Sequence, residues 1–314
     1  MHYFVINPKA QSGKAVEYWK KIREICHEKN IEYRYVYTNY PGQMTDIIKR
    51  QTAGTDPKHI FVLGGDGSFN EAVNGLQNPD IHSLTFLPSG SGNDLARGLG
   101  LPGNPVELFR QLTETPEYIE KHIDLGAVEY TEDNTGKKHL FAVSTGFGFD
   151  ADITKGTNRS PLKKILNRIG LGKLTYLIIG IKVLFAWKPQ EARLWVDDAE
   201  EPIILPRFLF MATHVHPYEG GGFPFCPDAK NGDGLIDLCI VNGLHLPQIF
   251  PLIPLAKFGK HKGKRGVIIL QCKKARIQVD RPVSFHTDGE VHADQTEVTV
   301  SNNSFGYRLQ VVKK

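Results

Sequence analysis

The sequence predicts an α/β protein in two parts. Residues 1–125 form an N-terminal Rossmann-like parallel α/β domain, and residues 126–304 a C-terminal antiparallel β-sandwich domain. Three observations carry this reading. Up to about residue 125, short apolar runs at about 3–6, 33–37, 60–63 and 84–87 alternate with helical stretches, the βαβ pattern of a parallel sheet. Three of those runs open into loops of small residues. Beyond residue 125, runs rich in Val, Ile and Phe dominate with turns between them, as in antiparallel sheets. A chain of 314 residues is comfortable for two domains.

Tyr3-Phe4-Val5-Ile6 reads as the first strand. It runs into Asn7-Pro8-Lys9-Ala10-Gln11-Ser12-Gly13-Lys14, and a helix through Lys29 follows. Ile60-Phe61-Val62-Leu63 reads as a buried parallel strand. It opens into Gly64-Gly65-Asp66-Gly67-Ser68-Phe69-Asn70-Glu71, with a helix expected from Ala72 onward. Leu84-Thr85-Phe86-Leu87 leads into Pro88-Ser89-Gly90-Ser91-Gly92-Asn93-Asp94 and another helix, for which Asn93 or Asp94 is placed to act as a cap. In the second part, strands are expected at Leu140–Ser144, Ala192–Val196, Arg207–Thr213, Leu235–Val241, Val267–Leu270, Ala275–Val279 and Glu297–Val300, interrupted by a helical insertion at about 161–186.

The small-residue loops carry the chemistry. Glycines let the backbone turn tightly and approach a ligand, and the helix N-terminus behind them offers free N–H groups to an anion. In an open parallel sheet such loops share the carboxyl edge, where ligands bind. Asp66 lies within the middle loop, where its carboxylate would repel a phosphate unless a cation lay between them. That arrangement suits magnesium nucleotide chemistry. As a loop acid, Asp66 is expected to contribute little to the core. The loop is not a dinucleotide fingerprint, because Asn70 stands where a third glycine would be, and no P-loop occurs in the chain. In the second part, Asp233-Gly234 and Asp288-Gly289 read from the residues alone as hairpin turns.

N-P-x-A-x-x-G-K, G-G-D-G-[ST]-x-N-E-x-x-N-G and P-x-G-[ST]-x-N-D, in this order, resemble the diacylglycerol kinase catalytic domain family. The chain looks like a bacterial soluble lipid kinase of that family nearly from end to end. Asp124-Leu125-Gly126, the stretch from Gly220-Gly221-Gly222 to Asp233-Gly234-Leu235, and Asp288-Gly289-Glu290 add to the likeness. The resemblance implies transfer of the γ-phosphoryl group of ATP, with Mg2+, to a lipid hydroxyl such as that of diacylglycerol. It implies a phosphate cradle made of Asn7 to Gly13 and Gly64 to Asn70, helped by Lys14, with Asp66 and Asp94 on the catalytic magnesium. Ser91 would add a hydroxyl, and Thr38 is a weaker nucleotide contact. Asp233 would bind a structural magnesium together with the carbonyls of Lys230 and Leu235, and Asp124 would link that metal to the active site. Glu290 would be the base and Asp288 its organiser. The acceptor lipid would lie between the domains, against Gly220 to Phe225. The last strand, near Tyr307–Val312, would return to complete the first domain with residues 305–314.

Bulk properties agree. The four cysteines are scattered with no C-x-x-C pair, which fits a reducing compartment. Met1 runs almost directly into a strand, so no leader is expected, and Leu174–Trp187 is too short and interrupted to span a bilayer. The expected location is cytoplasmic, in peripheral and transient contact with the inner face of the membrane. Two basic groups are available for docking: Lys155, Arg159, Lys163, Lys164, Arg168 and Lys173, and Lys257, Lys260, Lys262, Lys264 and Arg265. Leu162, Ile165, Leu166 and Ile169 lie among the first at helical spacing. No nucleic-acid motif accompanies this charge.

The chain departs from the family at Thr213-His214-Val215-His216-Pro217-Tyr218-Glu219, where asparagine and small polar residues are usual. Arg168 stands near where some members carry lysine. His214 and His216 lack a third ligand at sensible spacing, so no zinc is expected there. Three other readings stay open: an NAD kinase-like small-molecule kinase, a kinase of another lipid such as a sphingoid base or polyprenol, and a catalytically silent nucleotide- or lipid-binding module. The sequence leaves the acceptor and the oligomeric state open, a homodimer included.

Overall fold

The structure is a computed structural model that describes residues 2–114, 118–159 and 172–312. The first lobe is a parallel sheet of β1 (His2–Ile6), β2 (Tyr33–Tyr37), β3 (His59–Gly64) and β4 (Ser83–Pro88), in the order β4-β3-β1-β2. β3 and β4 are buried almost throughout, as expected of central strands covered on both faces. The helices alternate with the strands. α1 (Lys14–Glu28) buries Ala15, Trp19, Ile22 and Cys26, one stripe at helical spacing. α2 (Gln43–Gln51) buries Met44, Ile47 and Ile48, and packs beside α3 (Asp66–Gly75). α4 (Asp94–Leu99) and α5 (Pro105–Glu114) complete the layer.

The second lobe is a large curled antiparallel sheet. It contains β6 (Thr135–Phe141), β7 (Ser144–Gly148), β8 (Gln190–Val196), β9 (Ile203–His214), β12 (Ile236–Asn242), β13 (Val267–Cys272), β14 (Lys274–Val283), β15 (Phe285–Thr287) and β16 (Glu290–Val291). A short pair, β10 (Tyr218–Glu219) with β11 (Phe223–Pro224), stands apart from it. Residues from strands across the sheet, among them Val128, Phe147, Phe208, Leu238, Ile277 and Val300, meet in a single apolar core. The fold class read from the sequence therefore holds. α6 (Phe149–Arg159) and a helix at Gly172–Ala186 pack together beside this sheet. Leu162, Lys163, Lys164, Ile165, Leu166, Arg168 and Ile169 lie outside the described residues.

Two long strands serve both lobes. β5 (Tyr118–Glu132) and β17 (Gln295–Val312) pair antiparallel along their length, with an irregularity between Asn303 and Tyr307. Beyond it, β17 lies parallel to β4 at Leu309 and Leu84. Residues 125 and 126 thus fall inside one continuous strand.

Two local differences from the sequence expectations have physical causes. The helix expected from Ala72 starts at Asp66, because Gly65 is extended and an acid in the first turn complements the helix dipole. The strand expected over Leu140–Ser144 is broken at Ala142 and Val143, whose amides turn away to bind Asp288.

Candidate functional site

The three glycine loops meet at the carboxyl edge of the parallel sheet and touch one another. Asn7 Nδ2 donates to Ser68 Oγ at 2.9 Å, joining the first loop to the second. The second and third loops are in backbone contact: a Cβ on Gly90 would lie 2.6 Å from Gly65 Cα, so only glycine permits the approach. In the first loop a 3-10 turn at Ala10–Gly13 holds Gln11 (φ 48°), Ser12 (φ 58°) and Gly13 (φ 99°) in the left-handed region. Two consecutive non-glycine residues there are strained, a condition that concentrates at ligand clamps.

Asp66 is at the centre. Its carboxylate accepts the Asp94 amide at 3.1 Å and the Leu95 amide at 3.2 Å. It is therefore not the solvated loop acid expected from sequence; it ties the second loop to α4. Burial pushes its pKa up to about 6, with the charges of Asp94 and Asp288 adding to the effect against the two amide hydrogen bonds. Asp94 is buried and its pKa raised, chiefly by burial. It pairs with Arg97, and its other oxygen accepts the Gly221 amide of the second lobe at 2.7 Å. Gly92 sits over both acids. A Cβ there would be 3.3 Å from Asp94 Oδ2 and 3.4 Å from Asp66 Oδ2, so the missing side chain leaves space shared by two carboxylates. Such paired oxygen donors suit a hard cation.

The remaining first-lobe candidates divide by role. Lys9, Ser12, Lys14, Gly67 and Ser91 are exposed on the loops, with Pro8, Ala10 and Gly64 in their backbone frame. Thr38 is buried at the end of β2, and its amide donates to Ile6. Phe69 faces the core, with its ring 5.1 Å from Phe86, and its amide is bound to the Gly65 carbonyl. Asn93 takes the N-cap position of α4 without capping it; its Oδ1 accepts the Gly90 amide instead.

In the second lobe, Asp288 and Gly289 form a two-residue hairpin between paired Thr287 and Glu290, with φ of 48° and 85°. Both positive angles belong to the turn type that Asp-Gly favours. The Asp288 carboxylate accepts the amides of Ala142 (2.7 Å), Val143 (2.8 Å) and Ser144 (2.9 Å), together with Asn70 Nδ2 (2.8 Å). Four donors leave it little capacity for proton transfer. It is an anchor that binds α3 to the second lobe through Asn70, a residue 218 positions away. Glu290, next to this anchor, is exposed, and partial burial, then the charges of Glu71 and Asp288, raise its pKa.

Asp124, Asp233, Lys230 and Leu235 form a separate group. The Asp124 carboxylate accepts the amides of Gly232 and Gly234, each at 2.9 Å, and Asn231 bridges to the Asp124 backbone. This presents Asp233 on an exposed loop beside a depression lined by Asp228, Lys230 and Gln271. Burial pushes the nearby Asp237 up to about 6, with Asp233 and Asp228 adding to the rise. The acidity fits a cation, although the Leu235 carbonyl already accepts Asn302 Nδ2 at 3.1 Å. Sequence reasoning missed the Asn70–Asp288 clasp and the Gly221–Asp94 bond. Both join segments more than a hundred residues apart, and neither leaves a local pattern.

The ionised form of Asp66 is the one able to hold a cation. Activity is therefore expected to fall as pH drops through about 6, and added magnesium, by favouring the carboxylate, should move that limb to lower pH. Steady-state rates between pH 5 and 8 at two magnesium concentrations test this; an acid limb indifferent to magnesium would count against it.

Residues 2–128 match the family described as Diacylglycerol kinase catalytic domain, and residues 142–306 match the YegS C-terminal NAD kinase beta sandwich-like domain. A Bacillus subtilis protein named "Putative lipid kinase YtlR" is 28% identical over 292 residues, covering 92% of this chain and 93% of the relative. A Chromohalobacter salexigens protein named "Probable lipid kinase YegS-like" is 32% identical, covering 92% of this chain and 86% of the relative. A crystal structure described as a putative diacylglycerol kinase from Bacillus anthracis superposes with a TM-score of 0.74 at 20% identity, over 99% of this chain and 94% of that one, a likeness of fold.

Proposed function

Because the chain belongs to the diacylglycerol kinase catalytic domain family, with its C-terminal half in the YegS C-terminal domain family, we propose that it is an ATP- and magnesium-dependent lipid kinase. The observation that carries the reading is Asp66, held within three converging glycine loops and linked through Asn70 and Asp288 to the turn bearing Glu290. The loops from Asn7 to Lys14 and from Gly64 to Asn70 cradle the nucleotide phosphates, with Thr38 and Ser91 at the margin. Asp66 and Asp94 would hold the magnesium, which when bound would draw charge from the phosphate oxygens. The acceptor hydroxyl oxygen bonds to the γ-phosphorus, and the bond from that phosphorus to the bridging oxygen breaks. The hydroxyl proton passes to a Glu290 carboxylate oxygen, and ADP leaves with the bonding electrons. Asp288 fixes the turn.

A lipid acceptor such as diacylglycerol is proposed to lie against Gly220 to Phe225, where Phe223 and Phe225 stack with centroids 6.1 Å apart and offer it apolar surface. Transient membrane contact is supported by apolar side chains left in water. Phe185 (66% exposed), Ile178 and Ile181 line one face of the helix Gly172–Ala186, Phe250 follows the short helix Leu246–Ile249, and Ile253 and Phe258 (68%) lie within and just after the short helix Leu252–Lys257. Phe185 and Phe250 lie 6.2 Å apart, and exposed Lys182, Lys257 and Lys260 flank the patch. Lys155 and Lys262 instead pair with Asp294 and Asp228. No helix among the described residues is long and apolar enough to cross a membrane. A panel of diacylglycerols, sphingoid bases, polyprenols and NAD with labelled ATP, products identified by mass, tests the function. A phosphorylated lipid supports it, and phosphorylated NAD alone would replace it.

The Asp233 loop is proposed as a structural magnesium site completed by the Lys230 and Leu235 carbonyls. Metal that binds only the folded form stabilises by the logarithm of its excess, on the order of 5 °C at a hundredfold excess over Kd. Asp233→Ala should abolish this magnesium-dependent rise and lower activity indirectly. An unchanged dependence of Tm on magnesium would remove the site.

A further inference from the structure

Behind the Asp288 turn lies a buried cluster that the proposed reaction does not use. Asp150 opens α6, Glu219 ends β10, His286 is in β15 and His214 ends β9. His286 Nε2 is 2.8 Å from Asp150 Oδ2 and 3.4 Å from Glu219 Oε1, and the ligand atoms of these three residues all lie within 4.8 Å of one another. His214 Nε2 is 3.3 Å from Glu219 Oε2. His214 and His286 are 0% and 1% exposed. We propose that Asp150, Glu219, His214 and His286 form a binding site for a divalent transition-metal ion of the zinc class.

Orphaned buried atoms point to an ion: both ring nitrogens of His214 and Glu219 Oε2 lack a hydrogen-bond partner, although His214 and Glu219 face each other. Fully buried polar atoms are normally satisfied, and an ion held between these two groups would satisfy both. Bonds of about 2.1 Å in a tetrahedron place ligand atoms roughly 3.4 Å apart; His214 and His286 stand 3.3 and 3.4 Å from the two oxygens of Glu219, and the 2.8 Å hydrogen bond between His286 and Asp150 would open to admit the ion. Nitrogen and oxygen donors in equal number suit zinc, manganese or iron better than magnesium or calcium.

His214 looks incomplete in the sequence because two of its partners, Asp150 and His286, lie far along the chain. Coordination through His286 Nε2 leaves the proton on Nδ1, which now faces the Gly289 amide at 3.3 Å.

The test uses the full chain stripped with a chelator, and no activity readout. Zn2+ titrated against a chromophoric competitor should bind one equivalent, and Co2+ should give the intense visible bands of four- or five-coordinate cobalt. His214→Gln and Glu219→Gln should each weaken Zn2+ binding by about 100-fold or more, while Asp233→Ala leaves it unchanged. Absence of a tight equivalent, or binding indifferent to both substitutions, overturns the site. If the variants fail to fold, crystals of the unaltered chain soaked in Zn2+ decide. An anomalous peak at the zinc edge among the four side chains supports the site, and its absence there refutes it.

Discussion

Asp66→Asn is expected to reduce turnover by about a thousandfold while leaving the protein folded. A catalytic cation contributes several kcal/mol of charge stabilisation in phosphoryl transfer, and each 1.36 kcal/mol is tenfold in rate, so losing its ligand costs about three orders of magnitude. Asparagine rather than alanine is the informative replacement. Alanine would leave the Asp94 and Leu95 amides unpaired, at about 1–3 kcal/mol each. Asparagine keeps one acceptor oxygen and removes a charge that the fold disfavours. A carboxyl whose folded pKa is raised to about 6 destabilises the folded state when ionised, by about 3 kcal/mol at neutral pH. Relief of that cost roughly offsets the lost hydrogen bond, so Tm should move by only a few degrees. Nucleotide should still protect the variant, but its protection should no longer depend on magnesium. Near-normal ATP-dependent phosphorylation by Asp66→Asn would remove Asp66 from the metal site.

Legibility followed sequence distance. β1 to β4 and the loops after three of them were readable because each is a continuous run: apolar strand, small residues, helix. Asp66 was readable as an acid among phosphate-binding glycines, but its burial was not, since the residues that cover it, Asp94 and Leu95, come from the next loop. In the second lobe, Asp288-Gly289 was legible as a hairpin turn. Its anchoring role was not, because three of its four donors are backbone amides about 145 positions earlier, and amides leave no mark in a sequence. For the same reason β5 escaped notice. It runs from one lobe into the other, so its pattern changes partner midway, and Gly126 within it is required only because the Phe141 ring would meet a Cβ at 1.9 Å.

Glu290→Gln is expected to lower turnover by roughly 100-fold or more, the usual loss for a general base, with little change in nucleotide affinity. Glu290 stands in the second lobe, whereas the three glycine loops belong to the first, and it has no part in the bonds that hold Asp66 or Asp94. Its pKa is raised by partial burial and by Glu71 and Asp288, which makes it a stronger base. Glutamine keeps the shape and removes the proton acceptor, and at an exposed position it should leave Tm within about 1 °C. Titration of magnesium nucleotide by calorimetry, with turnover measured on the same preparation, separates the two effects. If affinity collapses with activity, Glu290 belongs to the nucleotide or metal scaffold. The base would then not be Asp288, whose oxygens are held by four donors, and Asp94 is already committed to Arg97 and Gly221. The acceptor hydroxyl would have to lose its proton to a phosphate oxygen or to water, and the pH dependence of turnover would carry no trace of Glu290.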